Sequence, residues 1–317
     1  MAKVVVARSP GEMEQLKSAW QTLHHAGAQT IFQSFEFNQL AAKIFAEREA
    51  ACVIFVETEN GMAIIPAAIA RERVTLLGEE MFDYRDVLLA GDREALSLAW
   101  LKVFEIADVA RLPFGMKGVP ASSSGFDKNH FDRTFFANAP EVKCNAAPKS
   151  HPRLENRMRR LRAEGAEVKV YSGPNGAVVR NILKCKAVQR EESLFCDAQR
   201  LEMVCAMAQI SGERCEIFTI ENGSCLVAAL ITFIDGACRR MYTIYYDKAW
   251  ARYSPGVSLL HEVIKTSLNM GVNVDLMTGE QAYKMRFATD KKPLYTLGAV
   301  SLCSESRKEE EEVLTAA

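Results

Sequence analysis

Residues 251–276, ARYSPGVSLLHEVIKTSLNMGVNVDL, decide the fold because they predict a helix that is followed directly by a strand, as in a crossover connection. Apolar residues repeat at helical spacing over residues 257–270, and Gly271 is a typical cap at the end of such a helix. Residues 272–276 then form a short strand, and residues 239–247 form another strand before the helix. A strand, a helix and a second strand in this order predict a parallel crossover within one sheet.

The segments around this crossover predict an α+β fold with mixed, mostly antiparallel sheets. Asn222-Gly223 and Asp235-Gly236 are tight-turn signals that join neighbouring antiparallel strands. The other predicted elements of the second half are strands at residues 166–171, 216–221, 226–234 and 294–302, and helices at 177–190, 198–210 and 280–287. This order is typical of an α+β layout with one parallel crossover.

The first half of the chain has a similar coarse layout, which permits a duplicated domain. Asn60-Gly61 predicts a hairpin in this half. Its predicted strands lie at residues 4–8, 51–57, 62–70, 74–79 and 86–89. One predicted helix begins at Ser9, and two others lie at residues 35–47 and 94–107. Three prolines interrupt residues 138–152, which predicts a linker. We therefore expect one domain at residues 1–148, a second at 149–305 and a charged tail at 306–317.

Composition indicates a globular protein and excludes several classes. The 317 residues are 49% hydrophobic and 25% charged with a net charge of -1, so no overall basic field indicates nucleic acid or an anionic membrane. No apolar run approaches the ~18–20 residues that span a bilayer, and the first residues lack the pattern of a signal peptide. The nine cysteines and five histidines lack metal-ligand spacing, which predicts buried thiols, no metal and a cytoplasmic location.

Tyr253-Ser254-Pro255-Gly256, directly before the crossover helix, is the most informative motif for function. The first N–H groups of a helix bind anions through hydrogen bonds and the helix dipole. Pro255 fixes the entry to the turn, Gly256 lets a phosphate approach the backbone, and Ser254 can cap the helix or bond a phosphate oxygen. The motif predicts a phosphate site, although an ordinary helix start has the same residues.

A second candidate segment runs from Asp275 to Lys284. Asp275 lies at the C-terminal end of a predicted strand, where open sheets place functional groups. A carboxylate can accept a proton from an amine, and the phenol of Tyr283 or the ammonium of Lys284 can donate one to a leaving thiolate. A purely structural interpretation also fits this segment: Thr278 would cap the short helix, and the charged residues would form a surface ion pair.

Two further segments are weaker candidates. Residues 153–162 carry Arg153, Arg157 and Arg160 on one helical face, which either holds phosphates, an acidic glycan or RNA, or is a solvated surface. Residues 81–86, MFDYRD, are an acidic and aromatic loop that either lines an acceptor pocket or is a plain hairpin loop.

Together these segments resemble the cellulose-biosynthesis-type (CelD-like) acetyltransferases, a branch of the GNAT superfamily related to the Fem peptidyltransferases. The specific part is Tyr253-Ser254-Pro255-Gly256 followed by residues 275–284. Weaker matches lie at residues 31–37 (IFQSFEF), 63–66 (AIIP) and 83–86 (DYRD), and in the basic helix from Arg153. The resemblance covers most of the chain and implies two GNAT-like domains, with the better-preserved site in the second.

The resemblance implies direct transfer of an acyl group, expected to be acetyl, from acyl-CoA to an amine or hydroxyl acceptor. The acceptor would be a small molecule such as a cell-envelope polysaccharide precursor, and no metal or covalent enzyme intermediate takes part. In the GNAT family the start of the crossover helix takes the CoA diphosphate. This role falls on Ser254, Pro255 and Gly256, with Tyr253 beside them.

The remaining site residues have separate expected roles. Tyr283 would protonate the departing thiolate, as a tyrosine on the corresponding helix does in the family. Asp275 would steer or deprotonate the acceptor, and Lys284 would hold an anionic group. Backbone N–H groups of the third strand would polarise the thioester carbonyl. The strand residues expected to bind the donor are Thr243, Ile244 and Tyr245.

Two other functions fit the same sequence. The arginines of residues 153–162 favour a Fem-like transferase that takes its acyl group from aminoacyl-tRNA, although the long coiled-coil insertion of such enzymes is not seen. The glycine-rich diphosphate loop of the family is reduced here to Gly256, which favours a non-catalytic GNAT-fold module in polysaccharide biosynthesis or export.

Overall fold

The computed structural model describes residues 2–27, 30–123, 125–126, 131–146, 151–189 and 193–299. Some sequence predictions lie outside these residues: the end of the predicted strand 294–302, Arg190, linker residues 147–150 and the charged tail 306–317. Within the described residues, the second half follows the predicted order of helices and strands.

The helices and strands have the following bounds. The strands are β1 (Lys3–Ala7), β2 (Ala50–Glu57), β3 (Gly61–Ile69), β4 (Val74–Leu76), β5 (Leu88–Gly91), β6 (Gly115–Pro120), β7 (Phe131–Val142), β8 (Glu167–Ser172), β9 (Cys215–Asn222), β10 (Cys225–Asp235), β11 (Cys238–Tyr246), β12 (Asn273–Asp275) and β13 (Asp290–Ala299). The α-helices are α1 (Pro10–Met13), α2 (Lys17–Ala26), α3 (Phe35–Ile44), α4 (Glu94–Ala110), α5 (Pro152–Ala163), α6 (Gly176–Val188), α7 (Ala198–Ser211), α8 (Pro255–Asn269) and α9 (Ala282–Met285).

The first sheet is antiparallel and contains β1 to β5. β2 and β3 form the predicted hairpin, with Glu57 opposite Met62. β1 pairs with β2, while β4 and β5 both pair with β3. The side chain of Ser9 accepts a hydrogen bond from the N–H of Glu12 and so caps α1, as its position before Pro10 predicts.

The second sheet has the strand order β6-β13-β7-β12-β11-β10-β9-β8. Its described pairs are antiparallel except for β11 and β12, which run parallel and are connected through α8. This confirms the predicted α+β fold with mixed, mostly antiparallel sheets. β6 and β7 were not among the predicted strands. Both precede residue 148, so the sheet contains strands from both sides of the predicted domain boundary. The boundary itself stays a prediction.

The first half repeats the strand–helix–strand layout of the second. Val74 in β4 forms a parallel bridge with Phe114, which lies beyond α4 and immediately before β6. The N–H of Val74 donates to the carbonyl oxygen of Pro113 at 2.8 Å. This bridge also links the two sheets. The repeated layout agrees with the expected duplication of a GNAT-like domain.

An aromatic core joins the two halves of the chain. The ring centroids of Phe37 and Phe233 lie 5.8 Å apart in an edge-to-face arrangement, and those of Phe32 and Tyr242 lie 6.2 Å apart. Full burial of one such side chain stabilises the fold by roughly 2 kcal/mol. Phe82, from the loop between β4 and β5, packs in the same core at 5.4 Å from Phe32. This loop is thereby held against the second half.

Candidate functional site

β11 and β12 are paired at one end and diverge at the other. Their register ends with Arg240 opposite Asp275, but β11 continues to Tyr246 while β12 stops at Asp275. From Met241 onward, this edge of β11 therefore has no strand neighbour among the described residues, and a cavity of about 160 Å³ lies beside it. Unpaired backbone N–H groups of a strand edge are available to a ligand.

Four of the predicted site residues line this cavity. Thr243 and Ile244 come from β11, and Tyr283 and Lys284 come from α9. Burial raises the pKa of Tyr283, so its phenol stays protonated at neutral and mildly basic pH. The divergence of the two strands thus brings together residues that are widely separated in the sequence.

The turn that follows β12 forms one wall of the cavity. Met277 has a φ of 63°, which is uncommon for a residue other than glycine and is a source of local strain. The N–H of Met277 donates to Oδ1 of Asp275 at 2.7 Å, and Nζ of Lys284 donates to the carbonyl oxygens of Met277 and Thr278 at 3.1 and 2.8 Å. Burial lowers the pKa of Lys284. Lys284 therefore stabilises the turn, a contact that its predicted anion-binding role did not include.

Asp275 is fully buried behind this wall. Its Oδ2 forms an ion pair with Arg240 at 2.6 Å, and its Oδ1 accepts a hydrogen bond from the hydroxyl of Tyr84 at 2.7 Å. Burial raises the pKa of the Asp275 carboxyl, and the charge of Arg240 opposes that rise. The carboxylate is not among the described groups that line the cavity. Its surroundings favour a positioning role over the predicted proton transfer with an acceptor.

The start of α8 lies beside the same strand edge. Ser254 adopts the left-handed conformation, with a φ of 47°, and Pro255 is the first residue of the helix. The side chain of Ser254 makes no capping hydrogen bond in the described structure; its Oγ instead accepts one from Nη1 of Arg157 at 2.9 Å. The backbone N–H groups of Gly256 and Val257 lie in the first turn, where a helix leaves N–H groups without internal partners. An arginine of α5 thus reaches the predicted phosphate site.

Gly256 packs against two side chains of β11. A Cβ at this position would lie 3.4 Å from Cδ1 of Ile244 and 3.5 Å from Cβ of Tyr246. These are ordinary van der Waals distances, so the packing of α8 on β11 does not itself require glycine, and the predicted role of Gly256 in admitting a phosphate stays a prediction. Because Ile244 also lines the cavity, this close packing brings the start of α8 next to the cavity wall.

A second cavity, of about 500 Å³, lies between α5 and the residues before α8. It is lined by the three arginines Arg157, Arg160 and Arg252 and by Tyr253 and Glu164, with Ala163. The hydroxyl of Tyr253 donates to Oε1 of Glu164 at 2.7 Å, and the guanidinium of Arg252 lies 4.7 Å from the ring centre of Tyr253. Tyr253 is thus separate from the residues of the first cavity and belongs to a basic surface.

Comparison with known proteins identifies this architecture. Residues 149–285 match the family of acetyltransferase (GNAT) domains. The fold is the GNAT fold. The matched segment contains α5 to α9, including the diverging strands β11 and β12. The narrower CelD-like resemblance stays a prediction. Among curated proteins, none matches the sequence significantly.

Solved structures with this fold cover most of the chain at low sequence identity. The C-terminal DUF2156 domain of an Agrobacterium fabrum protein, described as a lysylphosphatidylglycerol synthetase, has a TM-score of 0.62 at 11% identity over 96% of this chain and 98% of that one. FemX has a TM-score of 0.58 at 8% identity, over 88% and 95% of the two chains. A tandem GNAT protein from the clavulanic acid biosynthesis pathway has a TM-score of 0.53 at 9% identity, over 94% and 98%.

Two charged residues among those described as lining the cavity beside β11, Asp83 and Lys186, were not predicted as site residues. Asp83 comes from the loop between β4 and β5, and its Oδ2 accepts a hydrogen bond from the N–H of Thr278 at 3.0 Å. The acidic and aromatic character of residues 81–86 was the sequence signal for it. Lys186 comes from α6 and binds Oγ1 of Thr243. No motif marks Lys186, because one lysine in an amphipathic helix is typical of a surface position.

Tyr245 is the residue of β11 that was predicted to bind the donor but does not line the cavity. Its ring packs in the core shared by both halves of the chain. Burial raises the pKa of Tyr245 to about 12.

In the described part of the chain, no helix is long and apolar enough to cross a bilayer, and no three His, Cys, Asp or Glu side chains are grouped as metal ligands.

Proposed function

We propose that the protein transfers an acyl group from acyl-CoA to an amine or hydroxyl acceptor in the cavity between β11 and β12. The observation that carries this proposal is the free edge of β11 facing Tyr283, next to the start of α8. An acyl transferase needs hydrogen-bond donors for the developing oxyanion and an acid for the leaving group. Both requirements meet in one cavity.

The free edge of β11 would bind the thioester carbonyl. Because β11 is antiparallel to β10, alternate N–H groups along β11 face away from β10, and a register shift interrupts this alternation between Arg240 and Thr243. A preorganised donor aimed at a developing oxyanion is often worth about 3 kcal/mol of transition-state stabilisation. Tyr283 would then donate its phenolic proton to the departing thiolate, a role that its raised pKa permits at neutral pH.

The start of α8 would bind the diphosphate of CoA. The N–H groups of Gly256 and Val257 supply hydrogen bonds, and the helix dipole favours an anion there. Arg157 adds a positive charge, since its Nη1 lies 2.9 Å from Oγ of Ser254. Asp275 and Lys284 would hold the turn opposite β11 in shape. The narrower assignment, acetyl transfer to a cell-envelope polysaccharide precursor in the cytoplasm, is supported by the CelD-like resemblance.

Calorimetric titration with acetyl-CoA tests the donor site. We expect Arg157→Ala to weaken binding at least tenfold, because it removes a charge beside the diphosphate. Arg159→Ala is the matched control: Arg159 lies on the same helix, is exposed and binds Asn156. Gly256→Glu should abolish binding by displacing α8 from β11 and adding a negative charge. Equal acetyl-CoA affinity in all four proteins would contradict the proposal.

A second donor, aminoacyl-tRNA, is favoured by the basic surface of α5. Arg153 and Arg160 are exposed there, and Arg160 lines the second cavity together with Arg252. Such a surface binds a phosphate backbone with an affinity that falls steeply as salt increases. We would then expect uncharged tRNA to bind at low salt and to lose affinity on Arg160→Ala, with acetyl-CoA showing no binding. A non-catalytic module is less favoured, because the cavity beside β11 is open.

A further inference from the structure

Three aromatic rings from different segments of the second half pack together next to α9. His151 lies directly before α5, His261 lies in α8, and Phe287 lies two residues after α9. The ring centroids of His151 and His261 are 5.4 Å apart, and the ring of Phe287 lies 4.8 Å from His151 and 6.0 Å from His261. This histidine cluster therefore connects α8 and the start of α5 with the residue that anchors the end of α9.

Phe287 is coupled to the short helix that forms part of the cavity wall. α9 is a single turn, Ala282–Met285, and its residues Tyr283 and Lys284 line the cavity beside β11. The N–H of Phe287 donates to the carbonyl oxygen of Lys284 at 3.0 Å, and the ring is 3% exposed. A helix of one turn is not stable on its own, because its few hydrogen bonds do not offset the entropy lost in forming them. The position of α9 therefore depends on packing contacts such as that of Phe287.

His261 fits the histidine cluster as a neutral ring. The residue is 6% exposed, and its Nδ1 is buried without a hydrogen-bond partner among the described residues. A neutral imidazole can leave one ring nitrogen without a proton, whereas the protonated ring has an N–H at both nitrogens. Protonation thus buries a donor without an acceptor, which is unfavourable. The uncharged ring of Phe287 lies parallel at 6.0 Å, at the outer limit of a cation–π contact, and supplies no acceptor.

The charged groups around His261 come from α8, from α5 and from the residue before α5. Burial lowers the pKa of His261, and the charges of protonated His151 and of Lys265 lower it further, while Glu262 and Glu155 oppose the shift. The unfolded chain binds this proton near pH 6.5, so acid favours the unfolded chain over the folded protein at this ring. The contribution of His261 to stability is therefore fully present above about pH 6.5 and is lost as the pH falls through the lower folded-state pKa.

We infer that protonation of His261 weakens its contact with Phe287 and releases α9 from the cavity wall, so that acid regulates the cavity through the histidine cluster. A positive charge on His151, 5.4 Å away, repels the protonated ring and adds to the effect. Because α9 carries Tyr283 and Lys284, its movement changes the wall that faces β11. The inference concerns the conformation of the cavity and does not depend on which donor or acceptor binds there.

Hydrogen–deuterium exchange, read by mass spectrometry on a peptide that covers residues 280–289, tests the inference on the whole chain without ligand. Protected amides in this peptide include those of Lys284, Met285 and Phe287. After correction for the pH dependence of chemical exchange, we expect their protection in wild type to fall at least tenfold from pH 7.5 to pH 5.0. A peptide that covers β2 is the internal reference, because β2 lies in the first sheet and should keep its protection.

Two substitutions remove the site of protonation. His261→Gln cannot become charged in this pH range, and His261→Phe keeps an aromatic ring, so in either variant the protection of α9 should change less than about twofold. His24→Gln is the matched control: Nε2 of His24, in α2, donates to the carbonyl oxygen of Thr30 at 2.9 Å, so this variant should lose α9 protection as wild type does. Urea unfolding at pH 7.5 checks that each variant is folded.

The outcomes separate a local effect at α9 from general unfolding in acid. A loss of protection in wild type that is confined to α9, and absent from a folded His261 variant, supports the inference. Equal α9 protection at both pH values, a parallel loss at α9 and β2, or an undiminished loss in either folded variant would overturn it. The wild-type comparison can reject it without any variant. Failure to bind acetyl-CoA would contradict the proposed function and leave this result unaffected, because no ligand enters the measurement.

Discussion

The hydroxyl of Tyr84 donates a 2.7 Å hydrogen bond to Oδ1 of Asp275, although 191 residues separate the two in the sequence. The same carboxylate pairs with Arg240, which also binds Asp235, and Asp235 accepts a hydrogen bond from the N–H of Ile31. Both ends of this network belong to the first half of the chain, and its centre belongs to the second. The network therefore connects the turn after β12 to both halves of the fold.

Removal of the Tyr84 hydroxyl is expected to destabilise the protein. Tyr84→Phe keeps the ring but leaves the buried carboxylate of Asp275 with one partner fewer, which costs about 1–3 kcal/mol. Urea denaturation measures this loss in the free energy of unfolding. Tyr246→Phe is the control, because that side chain is 42% exposed and should change stability by less than about 0.5 kcal/mol. Equal effects of the two substitutions would contradict the importance of the Tyr84 bond.

Gly118 should be far less tolerant of alanine than Gly236. Both glycines have positive φ, 80° and 57°, so alanine costs roughly 1 kcal/mol in backbone conformation at each. At Gly118 the new Cβ also meets the carbonyl oxygen of Asp83, whereas nothing lies within 4 Å at Gly236. We expect Gly118→Ala to lose about 1–3 kcal/mol more than Gly236→Ala in urea unfolding. Similar losses would show that the loop moves away from Gly118 freely.

Asp86 should give the stability of the protein a distinct pH dependence. Burial raises the pKa of its carboxyl from 3.8 to about 6 in the folded protein, while bonds from Ser123 and Val87 oppose the rise. Because the folded protein holds this proton more tightly than the unfolded chain, the contribution to stability is fully present below about pH 4 and is lost as the pH rises through 6. Asp86→Asn cannot ionise, so it should gain about 2 kcal/mol relative to wild type between pH 4 and pH 7.

Urea unfolding of both proteins at several pH values measures this difference. Comparison with Asp86→Asn cancels the titration of all other groups, because only one carboxyl differs. The asparagine oxygen can still accept the bonds from Ser123 and Val87, so the fold is retained. A stability difference that stays constant from pH 4 to pH 7 would mean that Asp86 titrates as an ordinary exposed carboxyl.

The second half of the fold could be predicted because its signals are local. Pro255, Gly271 and the apolar spacing between them define α8, whose observed bounds differ from the predicted ones by two residues or fewer. β6 and β7 were missed because their residues become strands through pairing with β13, far along the chain. β7 has a run of exposed residues without clear alternation, so its sequence alone does not indicate a strand.

The same distinction applies to the site. Tyr283 and Lys284, which line the cavity, could be singled out because they follow a recognisable strand end and lie on the next short helix. The burial of Asp275 depends on Arg240 and Tyr84, which lie 35 and 191 residues away, and no pattern near Asp275 reports them. Asp83 was indicated only by the composition of its loop, because its position in the cavity depends on how the two halves pack.

The proposed acid role of Tyr283 predicts a rate effect without a binding effect. Tyr283→Phe keeps the ring in the cavity wall but cannot protonate the departing thiolate, and loss of a general acid typically costs 10²-fold or more in rate. We expect kcat for acetyl-CoA, measured by thiol release, to fall about 10²-fold while the Kd from calorimetry is unchanged. With S-4-nitrophenyl thioacetate, whose thiolate leaves without a proton, the variant should lose less than about threefold. Tyr253→Phe is the control, because that hydroxyl binds Glu164 outside the cavity. An equal loss of rate with both donors would show that Tyr283 shapes the cavity and does not supply the proton.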